Sequence, residues 1–317
     1  MIARTEKENN RQWQDKSWVV KKIYEELLYS QSYKTERMEL WTSLDLQYRG
    51  RHQYYYKNRS NLFIPVTFWN IENIVPRWAG VEQRVIYLPQ NDAAYLPHGP
   101  VMTRHFDYQW RKMGYDEMTG MMLLIEHLKV ALKYGLSIWK VYWEKDVRPT
   151  QQWWTPPGMP PIPGLRVPIP AEITRHDGPR GKVIPPWNFF WDPNGVTVDG
   201  SLWCADLDID RLGSLQNDQR YDLSELEKYG PDTSLWVWDY WRDDRRVTLA
   251  SCRETEVYQD QAPDTGAQDI GRGNTELGNL RIIRNEQKNP LWAGRKPYIR
   301  TVDYPLERKF FGLSTAE

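Results

Sequence analysis

The residues able to do chemistry are few and poorly grouped. Asp206, Asp208 and Asp210 in "DLDID" stand at every second position, like the first ligands of a calcium loop. Such a loop needs glycine at its sixth position and glutamate at its twelfth; here those are Arg211 and Asn217. Alternate carboxylates on a strand share one face, so a solvated acidic face is expected rather than a metal site. His52, His98, His105, His127 and His176 form no H-x-x-x-H pair, and no G-x-S-x-G elbow occurs. His127 sits in an apolar helical stretch and reads as a packed or surface histidine, not a base. "GPRGK" (178–182) lacks the spacing and following hydroxyl of a phosphate cradle and reads as a turn. Cys204 and Cys252, the only cysteines, make neither a disulfide framework nor a zinc site, and a reducing intracellular setting is the default. The expectation is no catalytic residue, no cofactor, no metal, and no enzyme.

Composition narrows the classes further. The 317-residue chain carries 42 basic and 42 acidic side chains, which argues against a generally sticky nucleic-acid binder. Mean hydropathy is −0.74 although 17 Trp and 19 Tyr are present. The apolar area therefore resides in amphipathic rings, which fill cores and also line interfaces. The length fits about two domains. The charged start "MIARTEKENNRQWQDKSW" has no apolar signal core, and the aliphatic run at 121–125 is too short to span a bilayer. A soluble chain with no secretory signal and no membrane partner is expected.

The elements that must position these groups follow from periodicity. Residues 12–30 read as a helix with Val19, Ile23 and Leu27 on one face and Lys21, Lys22, Glu25 and Glu26 outside. An aromatic and basic connector follows at 41–56. In "RSNLFIPVTFWNIENIVPRWAG" (59–80), an extended entry ends at Pro65. Phe68, Ile71, Val75 and Trp78 then recur at helical spacing, with Asn61 or Thr67 as cap and Pro76 as kink or stop. Residues 92–113 are helical, delayed by Pro97 and Pro100. "DEMTGMMLLIEHLKVALKYG" (116–135) is the strongest helix, with Met121, Leu124, Leu128 and Leu132 on one face and Gly135 as its stop. "LSIWKVYWEKDV" alternates as a strand through Ile138, Val141 and Trp143.

The proline-rich 148–178 reads as an exposed extended loop dividing a helical part (1–147) from a β-rich part (179–317). In the latter, "NFFW" is an aromatic strand before a "DPNG" turn, and "YDLSELEKYG" a short helix capped by Asp222 or Ser224. "SLWVWDYWRDD" alternates, and "RVTLASC" and "LRIIRNE" are strands able to pair with it. The polar, glycine-rich 261–279 reads as a loop. The fold class is α+β.

The order of motifs resembles the portal proteins of tailed bacteriophages. The resemblance is carried by "RSNLFIPVTFWNIENIVPR" after "LQYRGRHQYYYKN", then "LLIEHLKVALKYGLSIWKVYW", "VIPPWNFFWDP", "SLWCADLDIDRLGSL" and "NPLWAGRKPYIRTVDYPLERKFFGLSTAE". Together they cover roughly residues 40–317. The resemblance implies a portal-like wing, with Arg59 and Asn61 fixing the bend and Phe63 and Pro65 anchoring it as structural residues. It implies a homo-oligomeric ring, commonly a dodecamer, at one capsid vertex of the virion, assembled in the host cytoplasm. The partners implied are a major capsid or scaffolding protein, the terminase motor and a head-tail adaptor. Double-stranded DNA passes through the channel during packaging and ejection. Ser314 and Glu317 have the form of a capping box, so the chain is expected to stop where a stem helix opens.

Two other classes fit parts of the sequence. Tryptophan-rich strands with abundant carboxylates fit a carbohydrate-binding module or glycosidase, which needs two facing carboxylates in an aromatic cleft. The local patch Arg49, Arg51, His52, Lys57 and Arg59 among tyrosines fits a single-stranded nucleic-acid binder.

Overall fold

The structure, a computed structural model, describes residues 12–51, 64–80, 85–87, 98–114, 119–154, 167–216, 218, 220–252, 280–291 and 294–315. Its helices are α1 (Lys16–Tyr48), α2 (Val66–Ala79), α3 (His98–Lys112), α4 (Gly120–Tyr134) and the short α5 (Leu212–Gln216). Its strands are β1 (Leu136–Trp154), β2 (Val167–Ile184), β3 (Phe189–Trp191), β4 (Trp203–Arg211), β5 (Ser234–Arg242), β6 (Arg246–Cys252), β7 (Arg281–Glu286), β8 (Tyr298–Val302), β9 (Tyr304–Pro305) and β10 (Gly312–Leu313). The fold is α+β, with the long helices N-terminal and most strands C-terminal. The chain forms two compact units, each assembled from separate stretches. The larger holds Met1–Trp78, Glu126–Trp139 and Val183–Glu317; the smaller holds Ala79–Ile125 and Lys140–Lys182. The expected serial division at 148–178 is thus replaced by an interleaved one.

In the larger unit, α1 opens on Asp15, whose carboxylate accepts from the Ser17 N–H at 3.0 Å and the Trp18 N–H at 3.5 Å, satisfying donors that the first turn leaves free. Val19, Ile23 and Leu27 are buried, as their spacing predicts. The helix does not stop near residue 30, however. It runs to Tyr48 and takes over the first half of the expected connector; residues 52–56 lie outside the described ones. The stripe continues as Ser30, Lys34, Trp41, Leu44 and Asp45, all buried, and its first two members are polar.

Their use becomes clear at the sheet. Strands β3 to β7 form an antiparallel sheet in the order β3-β4-β5-β6-β7, so the expected pairing of β7 with β5 is corrected to β6. Strand β3 is an edge, and an edge exposes unpaired backbone groups. The Ser30 hydroxyl accepts from the Trp191 N–H at 3.1 Å. The Lys34 amino nitrogen donates to the carbonyls of Trp187 (2.6 Å) and Phe189 (3.0 Å) and lies 3.5 Å from the Phe190 ring centre, and burial lowers its pKa well below the usual lysine value. Helix α1 therefore satisfies the outer edge of β3, and buried polar residues replace the apolar ones that a periodicity argument looks for.

One sheet face meets α1. Ala205, Leu207, Trp236, Trp238, Tyr240, Val247 and Leu249 pack with Val19, Ile23 and Leu27, each large side chain contributing about 1.5–3 kcal/mol on burial. The other face carries two apolar clusters. Trp191, Cys204 and Trp241 pack with Leu136, Ile138, Tyr298 and Phe310. Leu235, Val237 and Ala250 pack with Leu212, Leu215, Leu226 and Ile283. Both phases of β5 are thus buried, which is why its two interleaved sets both contain apolar residues. The "DPNG" turn forms, with the Gly195 N–H donating to the Asp192 carbonyl at 2.9 Å. The expected helix at 221–230 shrinks to a single tight turn, Ser224–Leu226. Both cysteines are free.

Helix α4 ends as its sequence predicts. Gly135 has φ +73°, and a Cβ added there would stand 2.6 Å from the Gly312 carbonyl oxygen, so only glycine fits. Its inward face is rotated from expectation: Leu123, His127, Ala131 and Tyr134 are buried along with Leu132, while Met121, Leu124 and Leu128 are only partly so.

In the smaller unit, the Phe106 and Trp110 rings of α3 stack with centres 6.3 Å apart. Two expectations are corrected here. Residues 148–154 and 167–178 are strand, not loop, and "GPRGK" lies inside β2, not in a turn; residues 155–166 are outside the described ones. Pro149, Pro168, Pro170 and Pro179 lie within these strands; proline has no N–H to give a ladder and is tolerated in a strand at positions where none is required. Arg180 explains the rest: its Nε donates to Glu144 at 3.0 Å, and the neighbouring Gly181 N–H donates to the Met113 carbonyl at 2.7 Å.

Candidate functional site

Helix α2 carries the stretch that the resemblance singles out. Pro65 precedes it, and its carbonyl accepts from the Trp69 N–H at 3.1 Å, closing the first turn. Arg59, Asn61 and Phe63, expected to brace this entry, lie outside the described residues. Pro76 lies inside the helix, which continues to Ala79. Of the expected apolar face, Ile71 and Val75 are buried, but Phe68 and Trp78 at its two ends are exposed, Trp78 to 62%. Trp69 (60%), Val66 (57%) and Ile64 (69%) are exposed as well. Ile64, Val66 and Trp69 follow closely at the start of the helix, and neighbouring exposed apolar residues of this kind mark an interaction surface, whereas Trp78 stands on the opposite side of α2. Trp69 and Arg77 match the composition of interface centres.

The inner side of α2 is tied down. The Tyr48 hydroxyl donates to Glu72 at 2.5 Å, and Lys129 pairs with the same carboxylate at 2.7 Å. Burial works against the Glu72 charge, but hydrogen bonds from Lys129 and Tyr48 and the Lys129 charge outweigh it and hold the carboxyl below its ordinary range. Burial, and then the Glu72 contact, raises the Tyr48 phenol, so it stays a donor. The helix is anchored through its polar inner positions while its tryptophans remain uncovered within the larger unit's described residues.

The residues first considered for chemistry are placed elsewhere. Asp206 is not on a solvated face; it is 3% exposed and stands opposite Asp239, itself 5% exposed, across β4 and β5. The Tyr298 hydroxyl donates to Asp206 at 2.5 Å. Arg246 grips Asp239 with two bonds of 2.8 and 2.9 Å, and the Thr248 hydroxyl adds a third at 3.2 Å. Burial, reinforced by the Asp206 and Asp239 charges, pushes the Tyr298 phenol well above its usual value. General acid–base work needs a group within reach of a substrate, whereas these carboxylates are taken up by donors inside the sheet and brace its strands. Asp239, Arg246 and Tyr298 were not singled out from the sequence. The only signal was a lone acidic residue within an aromatic strand.

His127 is buried, as a packed histidine should be, with Nδ1 2.8 Å from the Ser137 hydroxyl and Nε2 2.7 Å from that of Thr301. Burial lowers its pKa to about 4, so the ring is neutral at pH 7. Of the basic patch, Arg49 pairs with Asp45 at 2.7 Å and Arg51 is exposed; His52, Lys57 and Arg59 lie outside the described residues. Among the described residues no three His, Cys, Asp or Glu side chains are grouped to hold a metal ion, and no helix is long and apolar enough to cross a membrane. No protein-family model matches the chain, and no curated protein matches it in sequence.

Proposed function

We propose that the chain is a subunit of a homo-oligomeric ring of the phage-portal kind, a conduit for double-stranded DNA and an attachment point between head and tail. The observation that carries the reading is the exposed apolar start of α2, Ile64, Val66 and Trp69, which lies in the motif that also carries the resemblance. A ring closes through head-to-tail contacts, which need adhesive surface beyond what the subunit's own core consumes. The ordered series of motifs from about residue 40 to 317 supports the same reading. So does the zero formal charge, since strong phosphate neutralisation would hold DNA rather than let it pass. In this reading capsid or scaffolding protein, terminase and a head-tail adaptor are the partners, and the subunit performs no catalysis. Mass photometry of the purified protein, with electron microscopy of the largest species, tests it. Closed cyclic oligomers are expected. A monomer or a two-fold dimer as the sole state at all concentrations refutes the proposal.

A further inference from the structure

Two helix stripes of the larger unit, both turned away from its core, complement each other. On α1 the buried Val19, Ile23, Leu27, Ser30 and Lys34 fix the inner face. The opposite side carries Leu28 and Tyr29, 47% and 55% exposed, followed by Ser32, Glu36 and Glu39, exposed as well. On α2 the buried Ile71 and Val75 fix the inner face. Its opposite side carries the exposed Val66 and Trp69, followed by Asn73 and Arg77, also exposed. Each stripe opens on large apolar groups and closes on charge, acidic on α1 and basic on α2.

The spacing agrees with the chemistry. Leu28, Ser32 and Glu36 stand at i, i+4 and i+8, and so do Trp69, Asn73 and Arg77. In either helix the charge therefore sits about 12 Å along the axis from the apolar group. Laid side by side in the same direction, Trp69 covers Leu28 and Tyr29, Asn73 meets the Ser32 hydroxyl, and Arg77 reaches Glu36 and Glu39. The reverse direction carries Arg77 toward the exposed Lys21. Glu72, the sole acid of α2, is spent on Lys129 and Tyr48, so the α2 stripe sets no like charge against the α1 acids. One chain cannot join its own stripes. Its α1 and α2 meet through other positions, the Tyr48 hydroxyl on Glu72 and the Tyr48 ring against Phe68 with centres 5.3 Å apart.

We propose that the α2 stripe of one subunit docks parallel on the α1 stripe of the next, Trp69 on Leu28 and Tyr29, Arg77 on Glu36 and Glu39. The occupant of each stripe is a second copy of this chain. Different surfaces meet, so the contact is heterologous, and every open series of subunits keeps one free stripe of each kind with which to close. The inference rests on the ring reading and adds which surfaces close the ring.

Analytical ultracentrifugation of the full chain tests it, with melting profiles as the check on folding. Trp69→Glu spoils only the α2 stripe and Leu28→Glu only the α1 stripe. Each variant alone should be a monomer, and their equal mixture should form a dimer and nothing larger. Arg77→Glu should weaken assembly by at least about tenfold, because it sets like charges opposite each other. Adding Glu36→Arg and Glu39→Arg to that chain should restore assembly, a recovery that damaged folding could not produce. Wild-type rings that persist in both glutamate variants, a mixture that stays monomeric or grows past the dimer, or a charge exchange without recovery overturns this pairing and leaves the ring standing. A wild-type chain that is monomeric at all concentrations overturns the ring reading and the pairing together.

Discussion

Replacing Arg246 with methionine isolates the buried charge cluster that braces the central sheet. In the native protein Arg246 holds both oxygens of Asp239, at 2.8 and 2.9 Å, and the side chains are 16% and 8% exposed. Asp239 stands directly opposite Asp206 on the next strand, so Arg246 also offsets a like charge. Arg246→Met removes both guanidinium bonds to the buried Asp239 carboxylate and keeps the weaker one from the Thr248 hydroxyl. Removing one partner of a buried pair costs about 3–5 kcal/mol, because the other charge remains desolvated. With a urea slope of about 2 kcal/mol per molar, the unfolding midpoint should drop by about 2 M. The double variant Arg246→Met with Asp239→Leu removes both charges and should recover most of that loss. Equilibrium urea unfolding followed by tryptophan fluorescence reads all the members of the cycle. A loss below about 1 kcal/mol for Arg246→Met, or a double variant whose cost is simply the sum of the singles, would refute the reasoning. The pair would then behave as a solvated surface bridge.

Three further outcomes are expected. His127 binds its proton more weakly folded (about 4) than unfolded (about 6.5), so the unfolded state holds more protons between those values. Its contribution makes stability rise with pH across that window by about 3 kcal/mol in total; His127→Gln should flatten the profile between pH 4 and 6.5, and an identical slope in the variant counts against this. Ser30→Ala orphans the buried Trp191 N–H and should cost about 1–3 kcal/mol, read from the urea midpoint, whereas a surface serine would cost almost nothing. Trp69→Glu and Trp78→Glu should shift the mass distribution toward monomer while leaving the monomer's melting profile unchanged; full assembly of both variants would remove α2 from the interface.

Much of the local structure could be read from spacing alone. Val19, Ile23 and Leu27 follow the helical period and are buried, Gly135 stops α4, and "DPNG" makes its turn. What misled was polarity. The apolar period of α1 fades near residue 30, yet the helix continues, with Ser30 and Lys34 buried because the β3 edge presents N–H and C=O groups to them. Asp206 likewise looked solvated, and proline looked incompatible with a ribbon. Of the α2 surface, its amphipathic run and Pro65 were legible, but not which of its tryptophans would be left uncovered.

The sequence by itself determined the α+β class, the positions of most helices and strands, and the two-phase alternation of β5. Each is set by neighbours within a few residues, through backbone propensity and side-chain period. Only the tertiary structure decided the interleaved units, the helix-capped edge of β3, and the opposition of Asp206 and Asp239 with Tyr298 and Arg246 around them. Those features join residues far apart in the chain, as Ser30 joins Trp191 and Asp206 joins Tyr298. A polar side chain is stable in a core only when a distant partner satisfies it, and that partner has no signature in the local sequence.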